Sequence, residues 1–225
     1  SSWAYEESIV TLITSQKKSA TLQDLAEKIY GVDKNVKGVI HNLKSTQSNT
    51  ILSSHYETLI GNAAIDEKIL GLNFKVSPAS FFQVNPQQAE NLYRIAIDLA
   101  ELDGSEKVLD AFCGVGTLSL CLAPHVKEVI AVECVSQAIK DAKKNAKNNG
   151  IENVDFHCQR AEHFIQKLDG IDLAFINPPR KGCEAIFLEK LEKLAPEKIV
   201  YISCDPASLA RDLKILESFN YTLEM

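Results

Sequence analysis

Cys204 follows the apolar stretch KIVYIS (198–203) and precedes Asp205-Pro206, a pair suited to open a helix. A thiol at a helix N-terminus lies in a positive field that favours its thiolate, so this position can hold a nucleophile. The same helix offers Arg211 to a substrate. A second constellation is VLDAFCGVGT (108–117): a buried strand carrying Asp110, then Gly114 and Gly116 for a tight turn, then a helix. It lacks the third glycine with which dinucleotide-binding loops pack around a pyrophosphate. An acidic residue ahead of the glycines favours a ligand carrying positive charge. Glu133 closes the next strand, EVIAVE (128–133), where a carboxylate can accept both hydroxyls of a ribose. Together these residues favour S-adenosyl-L-methionine over NAD. Asn177-Pro178-Pro179-Arg180 follows a further strand. Two prolines stiffen an extended loop and remove two amide donors, which can hold Asn177 and Arg180 towards a substrate. The plain alternatives are capping or solvated carboxylates, a rigid turn and an inert thiol. The position of these residues at the carboxyl ends of strands favours a site.

Such residues need a sheet to bring them together. From Lys107 the pattern alternates, with strands over 107–112, 128–133, 153–158, 171–176 and 198–203. Helices over 116–123, 135–149, 161–168, 184–194 and 206–219 fall between and after them. This alternation implies an α/β fold with a Rossmann-like, doubly wound, mostly parallel sheet. Pro86 suits the first turn of a preceding helix that runs to Leu102. Ahead of it lie a strand-like 6–13, a helix over 21–30 capped by Thr21, and strands over 36–43, 50–53 and 69–76. The expected division is a small partial α+β segment over 1–75 and the sheet domain over 76–225, truncated at its C-terminus. A start without Met and a strand opening at 221–225 point to a fragment of a longer protein.

The chain has 225 residues, 45% hydrophobic and 24% charged, the composition of an ordinary globular protein. No apolar run is long enough for a membrane helix. A net charge of −6 argues against sequence-independent nucleic-acid binding by the whole surface. The six cysteines are not in CxxC pairs, and the five histidines lack ligand spacing. Reduced thiols, a cytoplasmic location and no metal are expected. Cys113, Cys121, Cys134 and Cys158 read as buried small hydrophobes. Lys140, Lys143, Lys144 and Lys147 read as a solvated helix face, and at least one of Phe81 and Phe82 as core.

SPASFFQVN, VLDAFCGVGT, VIAVE, INPPRKG and YISCDPASLARDL resemble, in order and spacing, the motifs of the RNA 5-methyluridine methyltransferases. The wording RKG and SLARDL is nearest to the bacterial 23S ribosomal RNA branch, with the transfer RNA branch second. The resemblance spans about residues 34–225. It implies a class I S-adenosylmethionine-dependent methyltransferase domain and an RNA substrate, ribosomal before transfer RNA. It implies Cys204 as a nucleophile that adds to uracil C6, so that C5 can take the methyl group. It makes Gln83, Phe112, Thr117 and Glu133 cofactor contacts beside Asp110, Gly114 and Gly116, and puts Asn177 between cofactor and base. The family's general base is a glutamate beyond the cysteine motif, past the last residue of this chain. The RNA-binding barrel and iron–sulfur cysteines of some members are also absent. Three residues depart from the family pattern: Asn177 for Asp, Asp205 for Asn, and Arg160 for a small polar or acidic residue near the adenine.

Two other readings stand beside this one. Methylation of an adenine amino group would use an Asn-Pro-Pro loop followed by an aromatic, but position 180 is Arg and that chemistry has no use for Cys204. A non-catalytic RNA-binding relative would keep the fold alone. Neither a membrane nor an obligate protein partner is expected.

Overall fold

The computed structural model describes residues 1–16, 19–44, 52–53, 55–78 and 81–224. The chain divides into two compact units, Ser1–Pro86 and Gln87–Met225. In the first, β1 (Ser8–Thr14) and β2 (Val36–Leu43) pair in parallel across helix α1 (Ala20–Tyr30), and β3 (Tyr56–Gly61) joins β2 antiparallel. Ala26 of α1 packs with Val39 and Leu59. Ser19, not Thr21, caps α1, its hydroxyl accepting the Leu22 N–H at 3.2 Å. The strand expected at 50–53 falls partly outside the described residues; Leu52 and Ser53 are irregular, and β3 is the strand that forms. The strand expected over 69–76 is a hairpin instead, β4 (Ile65–Ile69) and β5 (Leu72–Val76). Leu70 and Gly71 turn it with φ of 48° and 83°; a two-residue left-handed turn reverses the chain inside what reads as one apolar run.

In the second unit α2 (Pro86–Ala100) leads into the expected alternation. The order is β6 (Lys107–Ala111), α3 (Thr117–Leu122), β7 (Glu128–Glu133), α4 (Ser136–Asn148), β8 (Val154–Cys158), α5 (Ala161–Phe164), β9 (Leu173–Ile176), α6 (Ala185–Leu194), β10 (Lys198–Tyr201) and α7 (Pro206–Ser218). Helix α5 is shorter than expected because Ile165–Lys167 tightens into a 3-10 turn. Residues 221–224, expected to open a strand, are irregular.

Five parallel strands lie in the order β10-β9-β6-β7-β8. The chain winds outward from β6 to β8, then restarts at β9 on the other side of β6. That reversal opens a crevice at the carboxyl ends of β6 and β9. Leu109, Ala111, Ile130, Val132, Ala174 and Ile176 share one face, packed with Phe187, Leu188 and Leu191 of α6 and Leu216 of α7. Strand alternation sends Val108 and Asp110 to the opposite face. The register levels the strand ends: Ala111 lies opposite both Val132 and Ile176, and Ile176 opposite Tyr201. Phe112, Glu133, Asn177 and the turn after Tyr201 therefore leave the sheet at one end.

Cys113 and Cys121 are buried as expected, but Cys134 and Cys158 are exposed. Cys158 is the last residue of β8 and Cys134 directly follows β7, so both lie at strand ends. Among the described residues no helix is long and apolar enough to cross a membrane.

Candidate active site

The loop after β6 is built from left-handed residues: Phe112, Gly114 and Gly116 have φ of 67°, 57° and 78°. Glycine adopts this freely; phenylalanine does so at a steric cost that the surroundings must offset. The Phe112 ring is held against Phe187, centroids 5.8 Å apart. Gly116 also lacks room, since a Cβ there would lie 2.9 Å from Phe156 Cε1. The Cys113 N–H donates to Val132 O at 3.0 Å, and the Gly116 N–H to Cys113 O at 2.9 Å. Thr117 then opens α3, buried.

Asp110 lies beneath this loop, 1% exposed, and accepts the Ser119 hydroxyl at 2.5 Å. Burial pushes its carboxyl up to about 7; the Ser119 hydrogen bond opposes that shift and the Glu133 charge adds to it. Its side chain faces α3 and braces the loop from within. Ser119 carries only a weak signal in the sequence, a second hydroxyl after Thr117 on a short helix whose other residues are apolar.

Glu133 is half-buried at the end of β7. Its Oε2 accepts the Gly114 N–H at 3.3 Å; its Oε1 accepts the Val135 N–H at 2.9 Å and the Cys134 thiol at 3.2 Å. A carboxylate offers about four acceptor positions. One stays available, and a thiol is a weak donor that a hydroxyl can replace. The acceptors of this corner thus fit the hydroxyls of a vicinal diol such as a ribose.

On the other side of the switch point, the Asn177 N–H reaches Ala111 O at 3.4 Å. Pro178 is buried while Pro179 and Arg180 are exposed, and the Gly182 N–H closes onto Pro179 O at 2.8 Å. Cys204 is exposed in the turn between β10 and α7. Asp205 caps α7, its carboxylate accepting the Ser208 N–H at 2.8 Å. Those bonds to Ser208, and to a lesser degree the charge of Arg180, hold the Asp205 carboxyl below its ordinary range. Arg180 is therefore within electrostatic reach of the Cys204 turn. Asp at 205 keeps the capping role that Asn would also fill.

Arg211 bonds Asp212 Oδ1 through Nε at 2.9 Å and Nη2 at 2.7 Å, and Lys181 O through Nη2 at 2.8 Å. It ties α7 to the loop that carries Arg180. Arg160 pairs with Glu184 at 2.7 Å and with the buried Glu162 at 3.4 Å. Gln83 belongs to the first unit, half-buried in the irregular stretch before α2.

Burial pushes the thiols of Cys121 and Cys183 up to about 12 and that of Cys113 well above its ordinary value. Cys134 is also raised, by partial burial and then by Glu133. Among the described residues no cluster of His, Cys, Asp and Glu could hold a metal.

The sequence model of the tRNA (uracil-5-)-methyltransferase family matches residues 6–223. An uncharacterized RNA methyltransferase of Clostridium tetani is 44% identical over 217 residues, covering 95% of this chain and 47% of that protein. One from Lactiplantibacillus plantarum is 42% identical, covering 96% of this chain and 48% of the relative. The chain thus spans about half the length of these relatives. Pyrococcus abyssi tRNA (uracil-54, C5)-methyltransferase, solved with S-adenosyl-L-homocysteine, superposes with a TM-score of 0.77 at 26% identity, over 95% of this chain and 51% of that one.

Proposed function

The chain belongs to the tRNA (uracil-5-)-methyltransferase family, and on that premise we propose that it serves S-adenosyl-L-methionine-dependent methylation of uridine C5 in RNA. One observation carries the reading: the exposed Cys204 and the Glu133 corner leave one end of one sheet, on either side of its switch point.

S-adenosyl-L-methionine, when bound, supplies an electrophilic methyl group. Glu133 accepts its ribose hydroxyls, and the left-handed loop from Phe112 to Gly116 offers backbone and ring against the rest. Asp110 and Thr117 act by shaping that loop, and Gln83 is assigned to the cofactor by resemblance. Asn177 stands between cofactor and base, Arg180 meets the RNA, and Arg211 sets the loop that holds Arg180.

Uracil C5 is a weak nucleophile. The Cys204 thiolate adds to C6, and the displaced π electrons move to O4 as an enolate. C5, made nucleophilic in this way, would take the methyl group that S-adenosyl-L-methionine would supply when held by the Glu133 corner and the Phe112–Gly116 loop. A general base takes the C5 proton, and the S–C6 bond breaks to restore the double bond and the thiolate.

The favoured target is 23S ribosomal RNA, from the RKG and SLARDL wording, with action in the cytoplasm. Transfer RNA is the second reading, supported by the substrate of the archaeal neighbour. Calorimetric titration with S-adenosyl-L-methionine tests the cofactor: saturable binding that Glu133→Ala abolishes is expected. RNA carrying 5-fluorouridine tests the nucleophile, because C5 then has no proton to lose and the adduct persists. Equal trapping by Cys204→Ala would sink the mechanism. Comparing labelled methyl transfer into 23S ribosomal and transfer RNA transcripts decides the target.

A further inference from the structure

We propose that Asp212 is a positioning residue, a buried carboxylate that fixes the Cys204 turn against the loop from Asn177 to Cys183. The inference rests on the reading of Cys204 as the nucleophile.

Asp212 is 0% exposed, yet it faces four donors. Its Oδ2 accepts the Tyr201 hydroxyl at 2.6 Å and the Cys183 N–H at 2.8 Å. Its Oδ1 accepts Arg211 Nε at 2.9 Å and Nη2 at 2.7 Å. These donors come from three segments: the last residue of β10, helix α7 and the loop after β9. Nη2 of Arg211 goes on to the carbonyls of Lys181 at 2.8 Å and Cys183 at 3.3 Å. The loop is thus gripped at three backbone atoms. Gly182 passes through the grip with φ of 74°, and a Cβ there would lie 2.5 Å from both Asp212 Oδ2 and Arg211 Nη2.

A charge taken out of water is costly unless every partner is in place. The arrangement therefore has one low-energy geometry, and it sets the spacing between Cys204 and the loop bearing Asn177 and Arg180. Covalent attack is sensitive to that spacing, since a misplacement of about 1 Å can cost on the order of 100-fold in rate. The cofactor contacts assigned to the Phe112–Thr117 loop, which follows β6, and to Glu133, which ends β7, do not run through the grip.

The test compares Tyr201→Phe and Asp212→Asn with the unsubstituted chain in melting temperature, cofactor affinity by calorimetry, and rate of adduct formation with 5-fluorouridine RNA. Tyr201→Phe removes one donor and is expected to stay folded, bind cofactor within about twofold, and form adduct about tenfold more slowly. Asp212→Asn should lose on the order of 100-fold in the same step. Adduct rates within twofold of the unsubstituted chain in folded variants would overturn the clamp. If Asp212→Asn fails to fold, Tyr201→Phe decides alone. If the unsubstituted chain binds cofactor but never forms adduct, the functional reading fails, and hydrogen exchange judges the clamp separately. Protection lost together at 181–183 and 203–208 in Tyr201→Phe supports it; unchanged protection at 181–183 overturns it.

Discussion

The two sides of the crevice are held by opposite means. At the ends of β6 and β7 the chain shapes itself locally. Three left-handed residues, a glycine pressed on Phe156 and a carboxylate nine residues from its hydroxyl partner make the corner. At the ends of β9 and β10 the backbone is held from afar. One buried carboxylate draws together segments 11 and 29 residues away. The first corner is fixed by conformation and suits a ligand that must be bound whole. The second is fixed by a charged network and suits a reacting atom whose position must be set. Cofactor binding and nucleophilic attack should therefore separate under mutation.

Cys204→Ala should have the largest effect. Adduct formation should vanish and methyl transfer fall by at least about 10³-fold, while calorimetry finds cofactor affinity unchanged. A parallel loss of cofactor affinity would break the contrast between the two sides. Glu133→Gln should do the reverse. Losing a charged acceptor for two hydroxyls should weaken cofactor binding by roughly 10- to 100-fold, with the adduct rate restored at saturating cofactor. Gly116→Ala sharpens the local side. Its φ of 78° and the 2.9 Å approach to Phe156 make a side chain strained. Urea unfolding should register a loss of about 2–3 kcal/mol, with Tyr201 and its partners untouched.

The local side is also the side that sequence reveals. Gly114, Gly116 and Glu133 declare themselves by spacing from strand ends, because the turn carrying the glycines directly follows one strand of the alternating pattern and the carboxylate closes the next. The alternation from Lys107 onward was legible for the same reason, as each strand and helix carries its own period. Asp212 in SLARDL carries no sequence signal of its role, because its partners Tyr201 and Cys183 lie on β10 and the far loop. Arg211 reads from the sequence as a side chain offered to a substrate for the same reason; only the fold brings Lys181 O to its guanidinium. The hairpin at Leu70-Gly71 was read as one strand because its apolar residues run through the turn. Asp110 was found but its direction was not: its place on the strand gives the face, and only α3 supplies the Ser119 hydroxyl that receives it.

Asp110 gives the most specific test. Its carboxyl, ordinarily near 3.8, is pushed up to about 7 in the folded chain, chiefly by burial. Between those values the folded chain keeps a proton that the unfolded chain has released. The folded state then binds more protons, so its stability falls as pH rises through this window and levels off above it. Asp110→Asn has no proton to lose. Its stability relative to the unsubstituted chain should therefore grow from pH 4 to pH 7, by up to about 4 kcal/mol, and stay constant beyond. Urea unfolding across that range reads the difference directly, since the other titrating groups cancel between the two proteins. A flat difference would mean that the Ser119 bond keeps the carboxylate ionised in spite of burial. The loop of Phe112 to Gly116 would then rest on a buried negative charge, and the first side of the crevice would be held by the same means as the second.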